Sequence, residues 1–159
     1  MQATKRDFCT KAFIPGEEYR RIVDLMPILC VDLLLQNSRG EYLLAKRSNE
    51  PLKDQWWLPG GRVYKGESLE EAAIRKMREE LSLEPSLLTM VGYCEYFCKE
   101  SPFGLATGHH AVAFVFTGLI PEGHISLDGQ NSEWAFFQAL PANLHIKSSV
   151  ELWQGLVRT

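Results

Sequence analysis

Residues 61–83 read GRVYKGESLEEAAIRKMREELSL, and this stretch decides the fold of the chain. A glycine turn at its start leads into a predicted helix, which carries Arg75 and then, about one turn later, the adjacent carboxylates of Glu79 and Glu80. Mg2+ prefers oxygen ligands and is usually bound by one or two carboxylates together with substrate phosphates. The stretch therefore predicts a divalent metal held against a diphosphate group.

Local signals predict this helix over residues 69–83. Ser68 and Glu71 have the spacing of a capping box, which starts a helix at the next residue. The apolar residues at helical spacing form one stripe: Leu69, Ala72, Ala73, Met77 and Leu81. Residues four apart share a face, so Lys76 and Glu80 are expected to be neighbours. Taken alone, the charges on this helix fit a salt-bridged solvent face better than a site.

Composition limits the class of protein. A chain of 159 residues is long enough for one ordinary domain, so residues 1–159 are treated as a single domain. A net charge of −3 argues against a general nucleic-acid-binding protein, which normally carries a basic surplus. No apolar run reaches the length of a membrane span, and residues 1–11 lack the apolar segment of a secretory signal. The four cysteines match no zinc pattern, so we expect reduced thiols in a cytoplasmic protein.

The order of predicted elements favours an α+β fold. A short helix is predicted at about residues 15–26, and a closing helix within residues 141–157. Strands are predicted at residues 28–36, 41–46, 91–99, 111–117 and 133–137, with a turn at residues 59–61. Strands, a helix, more strands and a final helix give a mixed sheet with helices on its faces.

Residues 61–83 also resemble the Nudix box, a long pattern of glycine, glutamate and arginine residues at fixed spacing. The matching residues are Gly61, Glu67, Arg75, Met77, Glu79, Glu80 and Leu83. Lys76 stands where the pattern has a glutamate, and Ser82 stands where it has a glycine. A match of this length is far more specific than a lone glycine motif. The resemblance implies a Nudix-type α/β/α sandwich, with a mixed β-sheet between helices.

The lysine at position 76, where the pattern has a glutamate, changes the expected number of bound metal ions. In the family at large, the glutamate replaced by Lys76 helps to bind metal. A lysine removes that ligand, and its charge repels a second Mg2+. We therefore expect one Mg2+ per site, with Mn2+ as a substitute and Glu80 as the main side-chain ligand. Glu79 is expected to pair with Arg75.

From about residue 27 to residue 137, the resemblance sharpens toward the GDP-mannose mannosyl hydrolases, which also lack that glutamate. The similar segments are Asn37 to Glu41, Leu43-Leu44, Lys46-Arg47, Trp57 and Pro59 to Val63. By this resemblance, the Gly60 carbonyl, Glu80 and Gln130 are the Mg2+ ligands. Relatives are commonly homodimers, and the resemblance extends that expectation to this chain.

The same resemblance assigns the substrate contacts. Arg47 and Arg62 are expected to clamp the diphosphate, and Asp32 to lie in the sugar pocket. Tyr19 corresponds to an aromatic residue that stacks on guanine, and Tyr96 falls where the subfamily has a pocket histidine. Arginine suits this role because its guanidinium matches phosphate geometry with two parallel donors. The predicted catalytic set is Arg47, Arg62, Asp32 and Glu80.

The proton acceptor stays open. The subfamily has a histidine directly after the glutamine ligand, whereas Gln130 is followed here by Asn131, whose amide does not accept a proton at neutral pH. The candidate substitutes are Asp128, Glu133, His124, His109 and His110.

Three functions are consistent with these residues. The first is Mg2+-dependent hydrolysis of a nucleoside diphosphate sugar, with GDP-mannose foremost, by attack of water at the anomeric carbon. The second is a standard Nudix pyrophosphohydrolase that cuts between phosphates. The third is a Nudix-fold binding module without catalysis, for which Lys76, Ser82 and Asn131 are the evidence.

Overall fold

The computed structural model describes residues 14–50, 52–84, 87–120 and 131–144. Its elements are α1 (Gly16–Leu25), β1 (Ile28–Gln36), β2 (Tyr42–Arg47), β3 (Trp56–Trp57), β4 (Gly60–Arg62), α2 (Leu69–Leu81), β5 (Thr89–Cys98), β6 (His109–Leu119) and β7 (Asn131–Phe137). The predicted helices and strands are confirmed within these ranges, apart from their end residues. The predicted closing helix lies outside the described residues from position 145 onward.

The sheet is mixed and is built around β1. Its main path runs β3-β2-β1-β6-β5, with β1 parallel to β6 and the other pairs antiparallel. β1 pairs with β2 at its end, where Gln36 lies opposite Tyr42, and pairs with β4 along residues 30–32. β7 pairs antiparallel with β2 along its whole length, from Tyr42 opposite Phe137 to Arg47 opposite Asn131. Because β4 borders β1 in the middle of the sheet, the glycines at its start lie beside the central strand.

Alternation along β1 divides the core between the two faces of the sheet. Val31, Leu33 and Leu35 pack in the same cluster as the apolar face of α2. Ile28, on the opposite face, belongs to a cluster that includes Val23 of α1. The two helices therefore cover opposite faces, which confirms the α/β/α sandwich with a mixed sheet.

The ends of α2 follow its sequence closely, with one correction. The Ser68 hydroxyl accepts the Glu71 backbone N–H and the Glu71 carboxylate accepts the Ser68 backbone N–H, so the predicted capping box is present. The helix ends at Leu81, two residues earlier than predicted. Ser82 takes the left-handed conformation with φ of 55° and forms the C-cap. Glycine favours this conformation, which explains why the Nudix pattern has glycine at that position.

Two further expectations concern chemistry and location. In the described part of the chain the cysteines are free thiols, namely Cys30, Cys94 and Cys98. Burial raises the pKa of Cys30 to about 12, so this side chain is a neutral thiol rather than a nucleophile at neutral pH. Among the described helices, none is both long enough and apolar enough to cross a membrane.

Candidate active site

A cleft of about 500 Å³ lies on the side of the sheet that carries α1. Its polar and aromatic lining includes Tyr19, Asp32, Arg47, Trp57, Arg62, Tyr64, Lys76, Tyr96 and His109, with the backbone of Gly60 and Gly61. The structure thus brings together six of the predicted site residues, which come from α1 and from four different strands. Glu80 does not line the cleft itself but contacts Gly60 and Lys76, which do. Gln130 lies outside the described residues.

The glycine strand forms the back of the cleft. Residues 59–61 were predicted to form a turn, and this was wrong, because β4 starts at Gly60 and pairs with β1. A side chain at Gly60 has no room, since a Cβ atom there would lie 2.6 Å from Oδ1 of Asp32 and even closer to the carbonyl oxygen of Val31. The Gly60 N–H donates to Oε2 of Glu80 at 3.0 Å. Glycine therefore allows the backbone to approach both carboxylates.

Lys76 and Glu80 form a buried ion pair behind this strand. The Nζ atom of Lys76 lies 2.6 Å from Oε1 of Glu80, and their side chains are only 7% and 3% exposed. The same ammonium is 3.6 Å from Oε2 of Glu79. The predicted proximity of Lys76 and Glu80 is confirmed. Helical spacing did not indicate that both would be buried, or that Lys76 would line the cleft.

Arg75 holds the segment before α2 against the helix. Its Nε and one terminal nitrogen donate to the two carboxylate oxygens of Glu67, at 2.6 Å and 2.9 Å. It also donates to the carbonyl oxygen of Arg62 and to Oε2 of Glu79, both at 2.9 Å. The predicted pair between Arg75 and Glu79 is confirmed. Burial raises the pKa of Glu67, but the bonds from Arg75 and from the Tyr64 backbone N–H outweigh it and lower the pKa overall.

Arg62 lies between two aromatic rings. The carbon at the centre of its guanidinium is 4.7 Å from the ring centre of Tyr19 and 5.4 Å from that of Tyr64. Cation–π contacts of this kind hold the group in the cleft while its N–H groups remain able to donate to an anion. Tyr64 was not among the site residues predicted from the sequence. The period-two alternation of an extended chain, which sets residues 62 and 64 on the same side, is the signal that points to it.

Asp32 and Tyr96 form a buried pair in the cleft. The Tyr96 hydroxyl donates to Oδ2 of Asp32 at 2.6 Å, and the Trp57 ring packs against Tyr96 with ring centres 5.1 Å apart. Burial raises the pKa of Asp32 to about 7, and the negative charge of Glu80 adds to this, while the bond from Tyr96 and the charge of Arg47 oppose it. Asp32 therefore changes charge near neutral pH.

Among the candidate proton acceptors, the structure separates His109 from His110. His109 lines the cleft and His110 does not, although each has one buried nitrogen without a hydrogen-bond partner among the described residues, Nδ1 in His109 and Nε2 in His110. Burial, with the charge of Arg47, lowers the pKa of His109, so the imidazole is neutral at neutral pH. His110 instead stacks on Phe97 with ring centres 4.4 Å apart.

None of the other candidate proton acceptors lies in the described part of the cleft. Glu133 has a side chain that is 58% exposed and lies 3.7 Å from Lys46. It is not among the residues that line the cleft. Asp128 and His124 lie outside the described residues. His109 is therefore the candidate that the described geometry favours.

The carboxylate of Glu80 is compatible with a divalent ion in addition to its protein partners. A carboxylate has about four acceptor positions, so bonds from Lys76 and from the Gly60 N–H are compatible with a metal on the same group. Within the described ranges, no group of three or more His, Cys, Asp and Glu side chains is arranged to hold a metal. A single ion that takes its remaining ligands from backbone and substrate oxygens meets this limit.

Comparison with known proteins gives consistent matches. The model of the NUDIX domain matches residues 26–150. The low-salt glycan biosynthesis protein Agl8 of Haloferax volcanii is 32% identical over 132 residues, which are 83% of this chain and 84% of that protein. An ADP-ribose pyrophosphatase of Methanocaldococcus jannaschii is 33% identical over 113 residues, and the match covers 71% of this chain and 63% of that protein. The crystal structure of a MutT protein from Methanosarcina mazei Go1 shares the fold, with a TM-score of 0.68 and 24% identity over 85% of this chain and 99% of the other.

Proposed function

Since the chain belongs to the NUDIX domain family, we propose that it is a Mg2+-dependent hydrolase of a nucleoside diphosphate sugar, with GDP-mannose as the substrate. In this reaction the oxygen of a water molecule attacks the anomeric carbon of the sugar. The bond from that carbon to the diphosphate oxygen breaks, and its electron pair leaves with GDP. The water gives up a proton to a base, and the products are mannose and GDP.

The observation that carries this proposal is the pair of arginines in one cleft with a buried carboxylate. Arg47 and Arg62 line the cleft, and Arg62 is held between two aromatic rings. Negative charge builds up on the diphosphate oxygen as the bond to the sugar breaks. Donors that are already oriented stabilise that charge without reorganisation, which is usually the largest contribution to such catalysis. We assign the diphosphate clamp to these two arginines.

The metal is assigned to the other side of the diphosphate. Glu80, the carbonyl of Gly60 and Gln130 are the residues that would hold Mg2+. Bound there, the ion supplies further positive charge for the leaving diphosphate. Glu80 is kept in position by Lys76 and by the Gly60 N–H, so this chain orients its main carboxylate before any ligand arrives.

The sugar end of the substrate is assigned to the part of the cleft that is lined by Asp32 and Tyr96, beside Gly60. Asp32 and Tyr96 offer a carboxyl and a phenol that are already hydrogen-bonded to one another and are able to bond to sugar hydroxyls. His109, neutral and facing the same cleft, is proposed as the base that accepts the proton from water. Tyr19 is proposed to stack on the nucleobase with the ring face that does not carry Arg62.

A second candidate function is pyrophosphohydrolysis, in which water attacks phosphorus and the bond between two phosphates breaks. The similarity to an ADP-ribose pyrophosphatase favours it. The same arginines and the same carboxylate serve this reaction, because both reactions place charge on diphosphate oxygens. The two reactions differ in the atom that water attacks, which is carbon in one and phosphorus in the other. Their products are therefore different and distinguish them.

Labelled water separates the two reactions. Purified protein with Mg2+ is given GDP-mannose and ADP-ribose in 18O water, and the products are analysed by mass spectrometry. The proposal predicts label in free mannose and none in GDP. Label in a phosphate group supports pyrophosphohydrolysis and overturns the proposal. If neither compound is hydrolysed while GDP-mannose still raises the melting temperature, the chain is a binding module.

Two substitutions test the assigned roles in the same assay. Glu80→Gln is expected to abolish turnover, since it removes the negative charge that a carboxylate offers to Mg2+, and full activity would remove the metal assignment. Arg62→Ala is expected to lower kcat by about 10² or more, because a preorganised donor to the leaving group is lost. Arg20→Ala, an exposed arginine on α1, is the matched control and should leave kcat unchanged.

Two further properties are proposed. The family resemblance implies a homodimer, and the reduced cysteines expected from the sequence imply a cytoplasmic protein. Size-exclusion chromatography with light scattering measures the mass directly, and a value near 18.1 kDa would contradict the dimer.

A further inference from the structure

Lys76 is a buried cation at the position where the Nudix pattern has a metal-binding glutamate. It is 5% exposed, lines the cleft, and lies 2.6 Å from Glu80 and 3.6 Å from Glu79. Lysine is almost never buried to this extent unless it is paired. The other basic residues of α2 do not pair with Glu80, since Arg75 bonds to Glu67 and Glu79, and Arg78 bonds to Glu84.

The backbone of β4 is shaped around this lysine. A Cβ atom at Gly61 would lie 3.0 Å from Cε and 3.4 Å from Nζ of Lys76, so the glycine backbone lies directly over the end of the side chain. Gly60, the preceding residue, bonds to the same carboxylate as the lysine does. The ammonium is therefore fixed from three sides, by Glu80, by Glu79 and by the strand, and is not an adaptable surface charge.

We propose that the Lys76 ammonium is a tethered cation that takes the place of a second divalent metal ion in this site. It forms an ion pair with Glu80, lies near Glu79, and holds a positive charge at a fixed position beside the diphosphate of the ligand. The site then takes up no more than one divalent ion, and it retains affinity for a nucleoside diphosphate when that ion is removed. This inference rests on the proposed function only in taking a diphosphate as the ligand.

Counting bound Mn2+ by electron paramagnetic resonance tests the replacement without measuring turnover. The wild-type protein is expected to bind at most one ion, and Lys76→Glu is expected to bind one more. Arg78→Glu makes the same change of charge at an exposed position of the same helix and should bind as many ions as the wild type. Two ions in the wild type, or no additional ion in Lys76→Glu, would overturn the inference.

Thermal unfolding shows whether Lys76→Glu is folded. In EDTA, Lys76→Glu places three carboxylates together and should melt well below the wild type. Mn2+ should restore its melting temperature and should change that of the wild type much less. Equal responses of the two proteins to Mn2+ would count against the tethered cation.

Lys76→Met supplies a second variant that keeps the length and the apolar stem of the side chain. Titration with GDP in EDTA should give a dissociation constant at least about tenfold higher than that of the wild type, because a charge-assisted contact is lost. Equal affinities would overturn the inference even if GDP-mannose is hydrolysed as proposed. If GDP-mannose is not hydrolysed but the Mn2+ counts and GDP affinities are as expected, the proposed function fails and the tethered cation stands.

Discussion

Asp32→Asn is the substitution for which the structure gives the clearest magnitude. The Asp32 side chain is 5% exposed, and burial raises the pKa of its carboxyl from 3.8 to about 7. Asparagine has nearly the same shape, and its carbonyl still accepts the bond that the Tyr96 hydroxyl donates. The substitution therefore removes the titration and leaves the packing and this hydrogen bond in place.

The direction in which the free energy of unfolding changes with pH follows from proton binding to Asp32 in the folded and unfolded states. Between about pH 4 and pH 7 the folded protein keeps the proton on Asp32, whereas the unfolded chain has lost it, so the free energy of unfolding falls as the pH rises. The stabilisation is fully present below about pH 4 and is lost as the pH rises through about 7. At 1.36 kcal/mol for each pKa unit, the whole shift is worth about 4 kcal/mol.

The assay is urea unfolding in EDTA at a series of pH values, for wild type and variant in parallel. The difference in free energy of unfolding between wild type and Asp32→Asn should shift by about 3 kcal/mol from about pH 4.5 to about pH 8, in the variant's favour. Other titrating groups are common to both proteins and cancel in this difference. A difference independent of pH would refute the assignment of a near-neutral pKa to Asp32.

Three other predictions follow from single contacts. Arg75→Lys should lower the free energy of unfolding by about 1–3 kcal/mol in urea titrations, since lysine has no fork to bond two carboxylate oxygens; Arg78→Lys, at an exposed pair, should change it by less than about 1 kcal/mol. His109→Gln should lower kcat by about 10² or more in a mannose-release assay, whereas His110→Gln should retain activity, and the reverse order would contradict the proposed base. Ser82→Gly should raise the midpoint of urea unfolding, with a gain of about 0.5–1 kcal/mol, because φ is 55° there; a loss would show that the serine side chain contributes more than the strain costs.

Local sequence spacing predicted the part of the site that lies on α2. The capping box needs only residues three apart, and the ion pair between Lys76 and Glu80 needs only residues four apart. Both are fixed by helix geometry once the helix forms. The end of the helix was not predicted, since the pattern extended it to Leu83, whereas Ser82 adopts the left-handed conformation that terminates it.

Local residue spacing did not predict the contacts between distant parts of the chain. Asp32 and Tyr96 are 64 residues apart, and their hydrogen bond exists because β1 and β5 both flank β6. The periodicity of each strand indicated which residues share a face, but it did not indicate which strands lie together. The resemblance to a known family supplied that information for Asp32 and for Arg62. It did not supply Tyr64, which no resemblance had marked.

The residues of the box divide into two groups with different consequences. Glu67 and Arg75 bond to one another and hold the chain before α2 against the helix, so they preserve the architecture whatever the ligand is. Lys76 and Glu80 bond to one another beside the glycine strand and the cleft, so they are the residues on which the proposed cation count depends. A match to the first group shows that the fold is intact, and only the second group bears on the chemistry. The departure at position 76 therefore leaves the fold unaffected and changes the charge at the point where a diphosphate would bind.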